Sequence, residues 1–286
     1  MSALRKKSLA SSLAVLCAGL ALLTPSPSAG KIDVHFNRVE RLEKYVKEVF
    51  SGAVSRAKQG QEGTIDIMIF SFTSPSLADS LLRIARDFPA VKIRILANLS
   101  QLFREPTSVL PEMEGIISGK ADAYRLAAAK RKSFIKDLEQ RKLAADSELK
   151  QIISEFRQKP IPNIEIRYKW FPAFSWDDKA GTSAYDHFHP KAALLHHKSA
   201  VVNGETLVTG SYNWSTYAET KNLENLMIIS GPEDRALITD LQAEFEAMWN
   251  DPAIAKSGDE CKALQKKICA ELDRRHKEGE TRNTKL

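Results

Sequence analysis

The chain has 286 residues, 42 of them Lys or Arg against 36 Asp or Glu, for a formal charge of +6 at pH 7. That length excludes a minimal scaffold and allows one sizeable core, as one domain with a large insertion or as two small domains. Arg5, Lys6 and Lys7 account for half of the charge, so a chain lacking its first thirty residues keeps about +3 and only a weak bias toward anionic partners.

Those first residues read as an export signal. A basic head is followed by an apolar stretch from Leu9 to Leu23 and a small-residue exit, Ser26, Pro27, Ser28, Ala29 and Gly30. About 15 apolar residues fall short of the roughly 20 that span a bilayer, so cleavage near residues 28–30 is expected. The address is then periplasmic or secreted, with no stable transmembrane span. Cys261 and Cys269 would remain, eight residues apart. On one straight helix that separation is about 12 Å, too far for a disulfide.

Residues 39–58 carry an amphipathic helical pattern, and TIDIMIFSF from Thr64 to Phe72 reads as a strand buried on both faces. Ser74 is placed to cap a helix with Pro75 in its first turn, and VKIRILANL (91–99) supplies the next strand. Strand, helix, strand predicts an α/β fold with a mixed, largely parallel sheet flanked by helices. From about 103 to 160 the rhythm breaks, and the Ala, Lys, Glu and Leu content predicts a helical insertion. Ile164 to Tyr168 resumes as strand. The aromatic run from Trp170 to Trp176 reads as a packing plug at the base of the insertion or as a substrate-facing lip. Ala193 to Val202 is expected as a strand turning at Asn203-Gly204, and LENLMIIS (223–230) as another. A helix from Glu233 to Trp249 closes the domain at about 250, with Leu237, Leu241, Phe245 and Trp249 at helical spacing. Residues 251–286 read as a charged helix to about His276 and a frayed tail.

The chemistry gathers in LLHHKSAVVNGETLVTGSYNW, residues 194–214. Alternation along a strand puts His196 and Lys198 on one face and His197 on the other. An imidazole and an ammonium together in an apolar run call for an anion. A phosphodiester fits, with Lys198 neutralising phosphoryl oxygens, neutral His196 attacking phosphorus, and Ser211 and Asn213 adding a hydroxyl and an amide to the phosphate site. Glu224 is expected to hold the second ring nitrogen of His196. A zinc reading of His187, His189, His196 and His197 is disfavoured, because the last two point to opposite faces and no well-spaced cysteine or carboxylate set accompanies them. No cofactor is expected.

HHKSAVVNGETLVTGSYNWS with KNLENLMII resembles the phospholipase D superfamily, closest to its single-motif bacterial endonucleases and mitochondrial cardiolipin-hydrolase relatives. His196, Lys198, Gly210, Ser211, Asn213 and Glu224 match the family pattern. VHFN (34–37), IDIMIFSFTSPSLADSLL and VKIRILAN also resemble it, in the same order. Asn203 stands where the family has aspartate, which implies structural support retained, negative charge lost and an altered field around Lys198. The resemblance implies a metal-independent phosphodiester hydrolase working through a phosphohistidine, with two histidines per reaction. Only one copy of the motif is present, since His189-Pro190-Lys191 is followed by no serine–asparagine bend. A homodimer with a shared active site would complete the pair. Nucleic acid is the expected substrate, cleaved by a non-specific exported endonuclease; a phospholipase acting on phospholipids and an inactive polyanion-binding module are the competing readings.

Overall fold

The computed structural model describes residues 30–119, 160–186, 189 and 191–278. The expected signal segment, most of the expected insertion, His187, Pro190 and the terminal tail lie outside them.

Ten strands and seven helices are described: β1 Lys31–Phe36, α1 Leu42–Lys58, β2 Gly63–Ile69, α2 Pro75–Asp87, β3 Val91–Asn98, α3 Ser100–Phe103, α4 Leu110–Ile117, β4 Ile164–Lys169, β5 Phe174–Asp177, β6 Thr182–Tyr185, β7 Lys198–Val202, β8 Thr206–Gly210, α5 Thr216–Thr220, β9 Asn225–Ser230, α6 Arg235–Asn250, β10 Ala255–Lys256 and α7 Gly258–Lys277. Eight strands form one sheet in the order β1-β9-β8-β7-β2-β3-β4-β10, and β5 pairs with β6 in a separate hairpin. The mixed sheet flanked by helices is the one expected, with parallel pairing confined to β2–β3 and β3–β4. The other five neighbouring pairs of the sheet are antiparallel, and of these β7–β8 is the tight hairpin. Asn203 and Gly204 turn β7 into β8, both with positive φ, at 58° and 62°.

Helices cover both faces, so β2 and β3 are largely apolar, with Asp66, Lys92 and Arg94 as their charged residues. Leu42, Val46 and Phe50 of α1 and Leu77, Leu81 and Leu82 of α2 pack on Ile65, Ile67, Ile93 and Ile95. On the opposite face α6 covers Met68, Leu96 and Val201 with Ile238, Phe245, Met248 and Trp249. That stripe departs from the expected one: Leu237 is exposed and Ile238 buried. Ser74 caps α2 by accepting from the Leu77 N–H, as its spacing predicts. Cys261 and Cys269 are free thiols on the unbroken helix α7. No helix among the described residues is long and apolar enough to cross a membrane.

One charged network crosses the α6 face. Arg94 donates to both oxygens of Asp66, at 2.6 and 2.9 Å, and to both oxygens of Glu246, at 3.0 and 2.5 Å. Gln242 adds a bond to Asp66 at 2.8 Å. The Asp66 side chain is only 4% exposed, so the guanidinium is what permits a carboxylate in the middle of β2. Removing it strands that charge, and Arg94→Ala should cost about 3 kcal/mol. Urea denaturation checks this; a loss under 1 kcal/mol would mean Gln242 alone satisfies Asp66.

Candidate functional site

The register places the motif along one rim of the sheet. Lys198 opens β7 beside Ile69 at the end of β2, Gly210 closes β8 beside Leu226 of β9, and Asn225 pairs with Phe36 at the end of β1. Asn98 and Lys169 end β3 and β4 at the same rim. In open α/β sheets the carboxyl ends of the parallel strands are where ligands bind.

The expected strand from Ala193 is shorter than predicted. Residues 192–197 are irregular and β7 begins at Lys198. One backbone bond continues the β2–β7 ladder, the His197 carbonyl accepting from the Phe70 N–H at 2.7 Å, and before it the Leu195 N–H turns to the side chain of buried Asn98 at 3.0 Å. His196 is thereby presented at the rim, its ring tilted on Phe70 with centroids 4.6 Å apart. The structure nonetheless joins His196 and Lys198. The ammonium lies 3.4 Å from each ring nitrogen and donates to the His196 carbonyl at 3.1 Å.

Lys198 is 8% exposed and sits 5.0 Å from the Phe70 ring centroid. Burial lowers its pKa, opposed by the negative charge of Glu224. Burial, Lys198 and His197 all lower that of His196, so the imidazole is biased toward its neutral, nucleophilic form.

Glu224 sits elsewhere than expected. Its carboxylate accepts from the Ser211 hydroxyl at 2.5 Å and from the Asn222 amide at 2.8 Å, and no hydrogen bond joins it to His196 among the described residues. Ser211 is locked in return, its N–H donating to the Asn225 side chain at 2.9 Å and its hydroxyl accepting from the Asn225 N–H at 3.1 Å. Gly210 permits this approach: at φ 147°, a Cβ there would stand 2.4 Å from the Asn225 carbonyl oxygen. Asn213 is half-buried, and its Oδ1 is buried with no hydrogen-bond partner among the described residues.

Asn37, Asn98 and Asn225 hold the rim and were not singled out from the sequence. Asn37 accepts from the Glu224 N–H at 2.9 Å while its amide donates to the carbonyls of Ala218 and Asn222 at 2.7 and 2.8 Å. A polar residue closing an apolar strand was the available signal for Asn37 and Asn98.

Asn203 lies at the far end of β7, about 16 Å of strand from Lys198, so its lost charge does not act on that ammonium at close range as expected. Its side-chain oxygen accepts from the Thr64 N–H at 3.0 Å and pins the start of β2. Asn203→Asp should therefore keep that bond and change hydrolysis by less than about twofold. Asn203→Ala should cost about 1–3 kcal/mol by orphaning an amide. Parallel melts and rate assays of the two variants check this.

A sequence profile of the family described as "Cardiolipin synthase, PLD-like domain" matches residues 54–249. The chain is similar to proteins named mitochondrial cardiolipin hydrolase. With that of Chlamydomonas reinhardtii it is 41% identical over 59 residues, 21% of this chain and 25% of that one. With that of Xenopus tropicalis it is 44% identical over 64 residues, 22% and 29% of the two chains. With that of Danio rerio it is 41% identical over 80 residues, 27% and 34%. The likeness thus spans between a quarter and about a third of these relatives' length. Among solved structures, Nuc from Salmonella typhimurium, a phospholipase D family member, is 16% identical at a TM-score of 0.43, covering 80% of this chain and 98% of that one. NucT from Helicobacter pylori is 15% identical at 0.42, covering 77% and 96%.

Proposed function

The chain belongs to the phospholipase D-like family, and from that premise we propose that it is a phosphodiester hydrolase working through a phosphohistidine on His196 without a metal ion. One observation carries the reading: a buried lysine ammonium with no carboxylate bonded to it among the described residues stands beside an exposed imidazole whose pKa is lowered. Such a pair is poised for an oxyanion bound to Lys198 and a nucleophile at phosphorus.

In the first step a His196 ring nitrogen bonds to phosphorus and the P–O bond to one alcohol breaks. The departing oxygen takes a proton from the partner's His196. In the second, water gives that proton back to the partner's His196 as it attacks phosphorus, the N–P bond breaks, and a phosphomonoester and a free imidazole remain. A nuclease of the exported, sequence-independent kind is the favoured reading, on the Lys and Arg content of residues 103–160, including Arg125, Lys130, Arg131 and Lys132, which suits a phosphate backbone. The named activity of the cardiolipin hydrolases supports phospholipid as the second reading.

The test is hydrolysis of single-stranded DNA and phospholipid vesicles in excess chelator. Turnover should persist with chelator and fall at least about 10³-fold in His196→Ala. The acid limb of kcat/KM should lie below the ordinary imidazole value of 6.5, since the shift of His196 is downward. Activity lost to chelator, or kept by His196→Ala, refutes the mechanism.

The second histidine comes from a second copy of the chain. Ile32, Val34 and Phe36 are exposed on one face of the edge strand β1, and Phe36 pairs with Asn225, which locks Ser211. Val39, Tyr217 and Leu223 are exposed as well, on segments that Asn37 ties to the end of β1 through Ala218, Asn222 and Glu224. Exposed apolar residues on an edge strand suit an interface, and a two-fold copy there would bring two sites close. Phe36→Lys should yield a monomer by light scattering with hydrolysis lost in parallel; a fully active monomer would end the shared-site reading.

A further inference from the structure

The rim carries a second ammonium that the motif does not include. Lys169 closes β4, three strands along the sheet from β7, yet its ammonium and that of Lys198 reach the same short segment, at the carbonyls of Leu194 and His196. Its Nζ donates to the Leu194 carbonyl at 3.3 Å, in the segment that presents His196. No carboxylate forms an ion pair with it among the described residues, and burial lowers its pKa. The same Nζ stands 5.2 Å from the centroid of the Phe171 ring.

Phe171 is set apart from the aromatic run around it. Trp170 and Phe174 pack against the core and each other, with Phe174 also on Tyr185, and Trp176 stacks on His276 at 3.7 Å. Those rings are taken up by packing within the fold. Phe171 remains 46% exposed and Leu194, beside Lys169, 39% exposed.

We propose that Lys169 and Phe171 form a flanking subsite for single-stranded nucleic acid, Lys169 taking a phosphate neighbouring the scissile one and Phe171 stacking its base. An ammonium with an exposed ring beside it is the unit by which proteins hold single strands without reading sequence. Two ammoniums along one segment favour a substrate with more than one phosphodiester, and the exposed ring beside Lys169 favours one that carries bases. A headgroup with a single diester, seated at Lys198, leaves Lys169 unused. The inference rests on the hydrolase reading and names its substrate class.

Oligonucleotides from two to eight residues separate the outcomes. For the wild type, kcat/KM should rise with length by about tenfold. That advantage should collapse, through KM, in both Lys169→Gln and Phe171→Leu. Binding to the chain bearing His196→Ala supplies a measurement independent of turnover: adding Lys169→Gln should lower the slope of log K against log salt by about one. An undiminished length advantage in the variants, or an unchanged salt slope, overturns the subsite. Wild-type turnover of cardiolipin vesicles but not of oligonucleotides also overturns it, while leaving the hydrolase reading intact. Wild-type protein inert toward every diester removes that reading itself.

Discussion

A lysine ammonium kept out of water without a bonded carboxylate is the constraint around which this rim is arranged. Burial alone disfavours the charged form of Lys198, so its neighbours decide whether the charge survives. The His196 carbonyl and the Phe70 ring give partial compensation at close range, and Glu224 acts from a distance through its field. Had Glu224 formed a direct ion pair, an incoming phosphate would have to displace it. Instead its oxygens are spent on Ser211 and Asn222.

Maintaining that separation falls to a set of asparagines. Asn37 fixes the backbone at Glu224, Asn225 fixes Ser211, and Asn98 fixes the segment before His196. The side chains of Asn37 and Asn98 donate and accept at once, and Asn225 accepts through its side chain and donates through its N–H, which suits a strand end where backbone groups lose their ladder partners. The helices supply the rest of the rigidity, since α1 and α2 on one face and α6 on the other leave the central strands no freedom to shift register.

How much of this the sequence disclosed follows from which forces are local. The apolar runs of β2 and β3, the Ser74 cap and the Asn203-Gly204 turn are properties of a few consecutive residues, and they fold as read. So does the proximity of His196 and Lys198, although by a different route: the strand alternation used to pair them does not extend to His196. What stayed hidden depends on partners distant in sequence. Asn98 meets Leu195 across 97 positions and Asn37 meets Glu224 across 187, and no local pattern encodes either. The β5–β6 hairpin was missed although Phe174 and Trp176 alternate as strand residues do, because each strand is only four residues long and several of its side-chain partners lie on α7. The role foreseen for Glu224 went astray because a carboxylate's choice among nearby donors is made by tertiary geometry.

Helix α7 carries a consequence for how the molecule behaves as a mechanical object. Asp273 accepts from the Thr182 hydroxyl and the Ser183 N–H at 2.8 and 2.7 Å, His276 stacks on Trp176, and Gly258 leaves room for the carboxylate of Glu114, pressed against the helix start. The last described turns of the chain are thus bolted to the β5–β6 hairpin. A load applied at the end of α7, by a tether, a fused domain or a surface attachment, would be borne first by that hairpin, whereas the same load at β1 would be borne by the edge of the sheet.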